Sequence, residues 1–225
     1  MKIIQPSFEI TNISHSEPLK FIEKIGRTCY KSEDNITETS AEKFVKNIIK
    51  NGHEAVIEHV SITVKIICDR GISHEWVRHR VASYAQESTR YCSYNKDKFN
   101  KEITYIDIIP VIENRLNPLT IGDWDALARI EDIIKDTYQF IENKYMELIN
   151  LGVTAQEARC ILPNGLKTEL VCTMNLREWR HFLKLRTSKA AHPQIREITI
   201  PLLKALQREV PIIFDDIIIV EENND

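Results

Sequence analysis

The chain has 225 residues, of which 43% are hydrophobic and 28% charged, values ordinary for a soluble globular protein with a substantial core. Its formal net charge of −3 argues against a general nucleic-acid binder, which would carry a basic field. Five cysteines, Cys29, Cys68, Cys92, Cys160 and Cys172, are odd in number and lack close pairs, so a disulfide framework or a Cys-rich zinc site is not expected and buried free thiols in a reducing cytosol are. The opening Met1-Lys2-Ile3-Ile4-Gln5-Pro6 does not read as a signal peptide, and no apolar stretch approaches the length of a bilayer. A cytoplasmic protein without membrane contact is expected.

In chain order, Lys2 to Ile10 reads as a short strand. Pro18 opens a helix with Leu19, Phe21, Ile22 and Ile25 on its apolar stripe. Lys31 to Glu38 is polar loop. Ser40 is the expected N-cap of a helix that turns Phe44, Val45, Ile48 and Ile49 inward, and Gly52 is its stop. Val60 to Cys68 alternates as a strand with one buried face. Asp69-Arg70-Gly71 reads as a turn and Ile72 to Ala82 as a short helix. Tyr91 to Lys101 is loop, and Thr104 to Ile109 a strand closed by Pro110. From Asp123 to Leu151, apolar residues recur every three or four positions, which predicts one long amphipathic helix ended by Gly152. A short helix follows from Thr154 to Ile161, then a turn at Leu162-Pro163-Asn164-Gly165 and a strand from Lys167 to Thr173. Asn175 caps a helix to about Leu185, with Leu176, Trp179, Phe182, Leu183 and Leu185 near its apolar side and Arg177, Arg180 and His181 elsewhere around it. Pro193 opens a last helix to about Arg208, and the acidic tail from Glu221 is expected to fray. With no repeat or linker, the fold class is α+β: a single domain, residues 1–225, with a small twisted, largely antiparallel sheet flanked by long helices.

The stretch from Arg78 to Tyr91 stands out chemically. It holds Arg78, His79, Arg80 and Arg90 with Ser83, Ser88 and Thr89 between them, and no lysine. Arginine presents a permanently charged planar fork that grips phosphate or a heterocycle edge with two parallel bonds. A second arginine-rich region holds Arg159, Arg177, Arg180, Arg186 and Arg196. An anionic, ring-bearing ligand such as a nucleotide suits this composition; a surface helix with chance arginines is the blander alternative. His53 and His59 are six apart, about 240° around a helix, so they do not form a zinc-protease pair. There is no G-x-G-x-x-G, no G-x-x-x-x-G-K and no G-x-S-x-G. Cys92 follows the arginines closely, but an inert thiol is the stronger reading.

Arg78-His79-Arg80, followed after seven residues by Ser88, resembles the signature of the flavin-dependent thymidylate synthases. The likeness extends to His53–His59, to Glu157-Ala158-Arg159-Cys160-Ile161-Leu162-Pro163, to Asn175-Leu176-Arg177, to Phe182–Arg186 and to Gln194-Ile195-Arg196-Glu197-Ile198, in the family's order and spacing. The resemblance implies conversion of dUMP to dTMP, with methylenetetrahydrofolate as one-carbon donor, FAD as redox cofactor and NADPH as reductant. It implies dUMP contacts from Glu75, Arg78, Gln86, Glu87, Ser88, Thr89, Arg90, Arg159 and Arg186. It implies FAD contacts from Arg78, His79, Arg80, Gln86, Asn175, Arg177 and His181. Arg186 would be catalytic, favouring the ionised, nucleophilic form of uracil. A homotetramer with shared active sites is implied as well.

The absence of a Pro-Cys pair agrees with a route that needs no protein nucleophile. Ala55 stands where the family usually has Ser or Thr, and Ala191-His192-Pro193-Gln194 replaces its common His-Ala-Gln run. Two other classes compete. A non-catalytic nucleotide-binding protein would bind dUMP without turnover. A metal-dependent hydrolase would use His53, His59, His74 and His79, whose spacing counts against it; no metal is expected.

Overall fold

In a computed structural model of the chain, residues 1–116 and 124–219 are described. The predicted helix start at Asp123 and the acidic tail from Glu221 lie outside them. The chain gathers into two units that alternate along the sequence. One comprises Met1–Ser7, Ile67–Val77 and Ala85–Leu170; the other comprises Phe8–Ile66, Arg78–Tyr84 and Val171–Asp225.

The elements are β1 (Lys2–Ile4), β2 (Ser7–Ile13), α1 (Pro18–Thr28), α2 (Ser40–Lys50), β3 (Ser61–Asp69), α3 (Arg70–Trp76), β4 (Ser83–Gln86), β5 (Thr104–Ile106), α4 (Ile109–Leu116), α5 (Trp124–Asn150), α6 (Ala155–Ala158), β6 (Lys167–Asn175), α7 (Leu176–Arg186) and α8 (Pro193–Glu209). The α+β class is as expected: a small antiparallel sheet with helices, its four strands ordered β2-β3-β6-β4. β1 and β5 form a separate parallel pair, with Ile3 opposite Tyr105. Strict alternation along β3 buries Ile62, Val64, Ile66 and Cys68, and along β6 it buries Thr168, Leu170, Cys172 and Met174.

Several boundaries differ from expectation, each for a local reason. Pro6 has no N–H for a ladder, so the first expected strand splits into β1 and β2. No turn interrupts Asp69. Its carboxylate accepts from Ile72 N at 2.7 Å, which starts α3 one residue after β3 ends. The expected helix to Ala82 stops at Trp76, and the arginine-rich stretch continues into β4. β5 ends at Ile106, because Asp107 Oδ1 accepts from Ile109 N at 2.9 Å and opens α4, where Pro110 needs no partner. Thr39, not Ser40, is the N-cap position of α2; the Ser40 hydroxyl serves buried Glu23 instead, at 2.8 Å.

In the first unit, Tyr94, Ile103, Tyr105, Tyr145, Ala158 and Leu166 form a core cluster. Tyr138 of α5 stacks on Tyr105 with ring centroids 4.1 Å apart, and buried Glu142 accepts from Ile103 N at 2.6 Å. Any Cβ on Gly165 would run into the Tyr138 hydroxyl.

In the second unit, α1 and α2 meet at Gly26, where a Cβ would lie 2.6 Å from the Phe44 ring. Trp179 and Phe182 of α7 are fully buried, and Trp179 Nε1 donates to Ile62 O at 3.0 Å. Burying a side chain the size of Phe182 contributes about 1.5–3 kcal/mol. Leu185, expected near the apolar side, is 49% exposed, whereas Arg180, expected outside it, is 2% exposed. Arg180 tolerates burial because Glu54 Oε1 lies 3.0 Å away, the Asp216 carboxylate accepts two bonds at 2.6 and 2.8 Å, and Ile213 O accepts another.

The thiols divide. Cys68 and Cys172 are buried as expected, and burial pushes the Cys68 thiol up to about 12. Cys29 and Cys160 are exposed.

Candidate active site

The second unit brings His79 of the R-H-R motif onto α7. Asn175 starts that helix, its side-chain oxygen accepting from Glu178 N at 2.9 Å, and so presents Arg177, His181 and Arg186 in successive turns. The centre of the set is His79, 7% exposed. Arg186 Nε donates to His79 Nε2 at 3.1 Å, which requires Nε2 to be unprotonated and puts the proton on Nδ1. Nδ1 faces Glu178 Oε1 at 3.4 Å, and the ring meets Phe182 edge-on at 4.7 Å. Burial, with Arg186 and His181 adding positive charge nearby, lowers the His79 pKa to about 4, so its imidazole is neutral at physiological pH. Burial also raises the pKa of Glu178. The Tyr84 hydroxyl donates to His79 O at 2.6 Å and fixes the backbone of the motif.

Arg78 and Arg80 are exposed, and among the described residues neither makes an ion pair. Arg177 reaches Glu58 at 2.6 Å and remains 53% exposed. Cations without a carboxylate partner are available to an external anion. This donor set of arginines, a neutral imidazole and the amide of Asn175 fits the pyrophosphate and ring edges of a dinucleotide such as FAD.

His79, Glu178 and His181 place donor atoms within 4.8 Å of one another, the i, i+3 pair on α7 supplying two of them. A cation there would have to displace the Nδ1 proton of His79 and would be repelled by the Arg186 guanidinium on the other ring nitrogen. Of the four histidines weighed for a metal, only His79 belongs to this group.

The first unit collects Glu75, Gln86–Arg90 and Arg159. Glu75 lies on α3. Gln86 Nε2 donates to Ser73 Oγ of the same helix at 2.8 Å and to Thr168 Oγ1 at 3.3 Å. Glu87 N donates to Glu169 O at 2.8 Å, and its carboxylate takes a 3.0 Å bond from Lys167. Ser88 O accepts from the N–H groups of Tyr91 and Cys92, and Thr89 is buried. Arg90 Nε donates to Gln156 Oε1 at 3.1 Å, which joins the segment to α6, just before the 3-10 turn that bears exposed Arg159. The expected nucleotide residues of this unit thus come from three elements tied to one another.

Sequence reasoning missed Glu178, Tyr84, Lys167, Ser73 and Gln156. Glu178-x-x-His181 on one helix face was a readable signal for the first. Lys167 and Gln156 have partners 80 and 66 positions away, and Tyr84 and Ser73 act through a backbone oxygen and a hydroxyl bond that no motif marks.

The family model for the thymidylate synthase complementing protein matches residues 12–212. A flavin-dependent thymidylate synthase from Geobacter sulfurreducens is 30% identical over 216 residues, covering 92% of this chain and 86% of its own length. Another, from Pyrococcus furiosus, is 34% identical over 81% of this chain and 69% of its own. The fold is similar to that of a UMP/dUMP methylase, PolB, from Streptomyces cacaoi, whose crystal structure holds 5-Br dUMP. That likeness has a TM-score of 0.74 at 20% identity and covers 96% of both chains.

Proposed function

We propose, because the chain belongs to the family of flavin-dependent thymidylate synthases, that it converts dUMP to dTMP with methylenetetrahydrofolate as one-carbon donor, FAD as redox cofactor and NADPH as reductant. Membership makes it an enzyme of the methyltransferase class. The observation that carries the finer reading is the bond from Arg186 to a neutral, buried His79, next in sequence to two arginines that pair with nothing in the described chain.

In this reading Arg78, His79, Arg80, Gln86, Asn175, Arg177 and His181 hold FAD. Glu75, Arg78, Gln86, Glu87, Ser88, Thr89, Arg90, Arg159 and Arg186 hold dUMP. When bound, FAD supplies the reducing electrons that the protein lacks. Arg186 is the catalytic residue: a fixed cation beside the uracil lowers the pKa of its N–H and favours the nucleophilic anion. His79 orients the guanidinium by accepting from Nε. Asn175 keeps its amide N–H groups for ligand, since its oxygen is engaged in the cap. No cysteine is required as nucleophile. A cytoplasmic homotetramer that shares active sites belongs to the same proposal; among the described residues, no helix is long and apolar enough to cross a membrane.

The test is dTMP formation from dUMP with methylenetetrahydrofolate, NADPH and added FAD, omitting each in turn. Product should vanish when either FAD or NADPH is left out. Tight dUMP binding by folded protein with no product under any condition would overturn the synthase reading in favour of a nucleotide-binding protein.

A further inference from the structure

Glu87 is an unusual residue to find in a segment that meets an anion. Its side chain is 13% exposed, and it is followed directly by Ser88, Thr89 and Arg90, the donors of that segment. A carboxylate among phosphate-binding donors repels the ligand unless a cation cancels it. That cation is Lys167, 17% exposed, at the start of β6. Its ammonium reaches Glu87 Oε2 at 3.0 Å and Glu169 Oε1 at 2.6 Å. Burial works against the charged form, but the hydrogen bonds to Glu169 and Glu87 outweigh it and hold Lys167 above the ordinary lysine value. On the backbone, Glu87 N donates to Glu169 O at 2.8 Å, so the same stretch of β6 holds Glu87 by main chain and by side chain.

We propose that Lys167 is a positioning residue for nucleotide binding, offsetting the charge of Glu87 with an ammonium it shares with Glu169 and fastening the segment Gln86–Arg90 to β6. This rests on the reading of that segment as part of the dUMP site. Lys167 itself touches no substrate in this proposal; it acts through Glu87. The arrangement is reciprocal. Without Lys167, Glu87 and Glu169 lose the cation they share, and the Glu87 carboxylate stands uncompensated next in sequence to Ser88, Thr89 and Arg90.

The experiment measures the dUMP dissociation constant of the full chain with FAD present, by calorimetry, for wild type, E87Q, K167R, K167M and K167M/E87Q. K167M should weaken dUMP binding about tenfold or more. K167R, which keeps the charge, should stay within about threefold of wild type. The loss caused by K167M should shrink to about threefold or less when measured in an E87Q background, because neutralising Glu87 removes what Lys167 had to offset; the effect of a merely structural lysine would be the same in both backgrounds. Should K167M fail to fold, K167M/E87Q is compared with E87Q alone, and the two should agree within about threefold. A tenfold gap between them would overturn the inference, as would unchanged dUMP binding by folded K167M. Failure of the wild-type chain to bind dUMP would overturn the assignment of the segment itself, and is read separately from the variants.

Discussion

Arg180 on α7 and the pair Arg78 and Arg80 belong to the same unit, yet they live in opposite surroundings. Arg180 is sealed among Glu54, Asp216 and Ile213 O, its donors spent on the fold. Arg78 and Arg80 face solvent without an ion-pair partner among the described residues. Arg186, six residues after Arg180, stands between these extremes, half-buried and bonded to a neutral imidazole. The residue type is constant; what differs is whether the protein itself completes the charge. A completed arginine is architecture, and an incomplete one is an invitation to an external anion.

The largest effect that would break this contrast is at Arg186. Arg186→Ala should fold normally, with an unchanged circular dichroism spectrum, and lose dTMP formation almost completely; near-normal turnover would remove it from the chemistry. Arg180→Ala should do the reverse. Losing the Arg180 bonds should cost about 1.5–3 kcal/mol in denaturant unfolding, since Glu54 and Asp216 are partly exposed and keep Arg177 and Lys184 at 4.0 and 3.6 Å. A midpoint close to wild type would show that Arg180 is not structural.

The pH dependence sharpens the middle case. His79 has a folded pKa of about 4 against an ordinary value of 6.5, so the unfolded chain takes up its proton first as pH falls. Its contribution to stability is therefore complete above about pH 6.5, lost progressively between there and about pH 4, and amounts to roughly 3 kcal/mol. Unfolding free energies of wild type and His79→Asn, measured from pH 7.5 to 4.5, should converge as pH falls. Parallel curves would mean that the imidazole is not held neutral. The smallest effect belongs to Arg177, whose exposed pair with Glu58 contributes little to the fold. Arg177→Ala should leave the thermal midpoint unchanged and weaken FAD binding several-fold in a fluorescence titration. A lowered midpoint with unchanged FAD binding would reverse its assignment.

Sequence patterning made most elements readable, because β3, α5, α7 and α8 carry long, regular alternation between buried and exposed positions. It failed where one side chain decides a boundary. Asp69 reads as a turn residue until Ile72 N is seen bonded to it, and Asp107 likewise converts an expected strand end into the start of α4. In the site, the R-H-R motif and its α7 partners were legible as a motif, but the role of each arginine was not. Arg177, Arg180 and Arg186 look alike on one helix, and only Glu54 and Asp216, remote in sequence, mark Arg180 as structural. Lys167 was unreadable for the same reason: it sits 80 positions from Glu87.

The strand order β2-β3-β6-β4 also bears on how this chain must be made. β4 has β6 as its neighbour, and the two are separated by about 80 residues that a ribosome adds in roughly 4–16 s. Throughout that interval the nascent polypeptide carries β4 as an unpaired ribbon, and β3 lacks one of its two flanks, each a template for misassociation with other chains. Synthesis interrupted before residue 167 leaves both exposed for good. Aborted products of this message should accordingly be aggregation-prone chaperone clients, while chains that pass β6 have every strand the sheet needs.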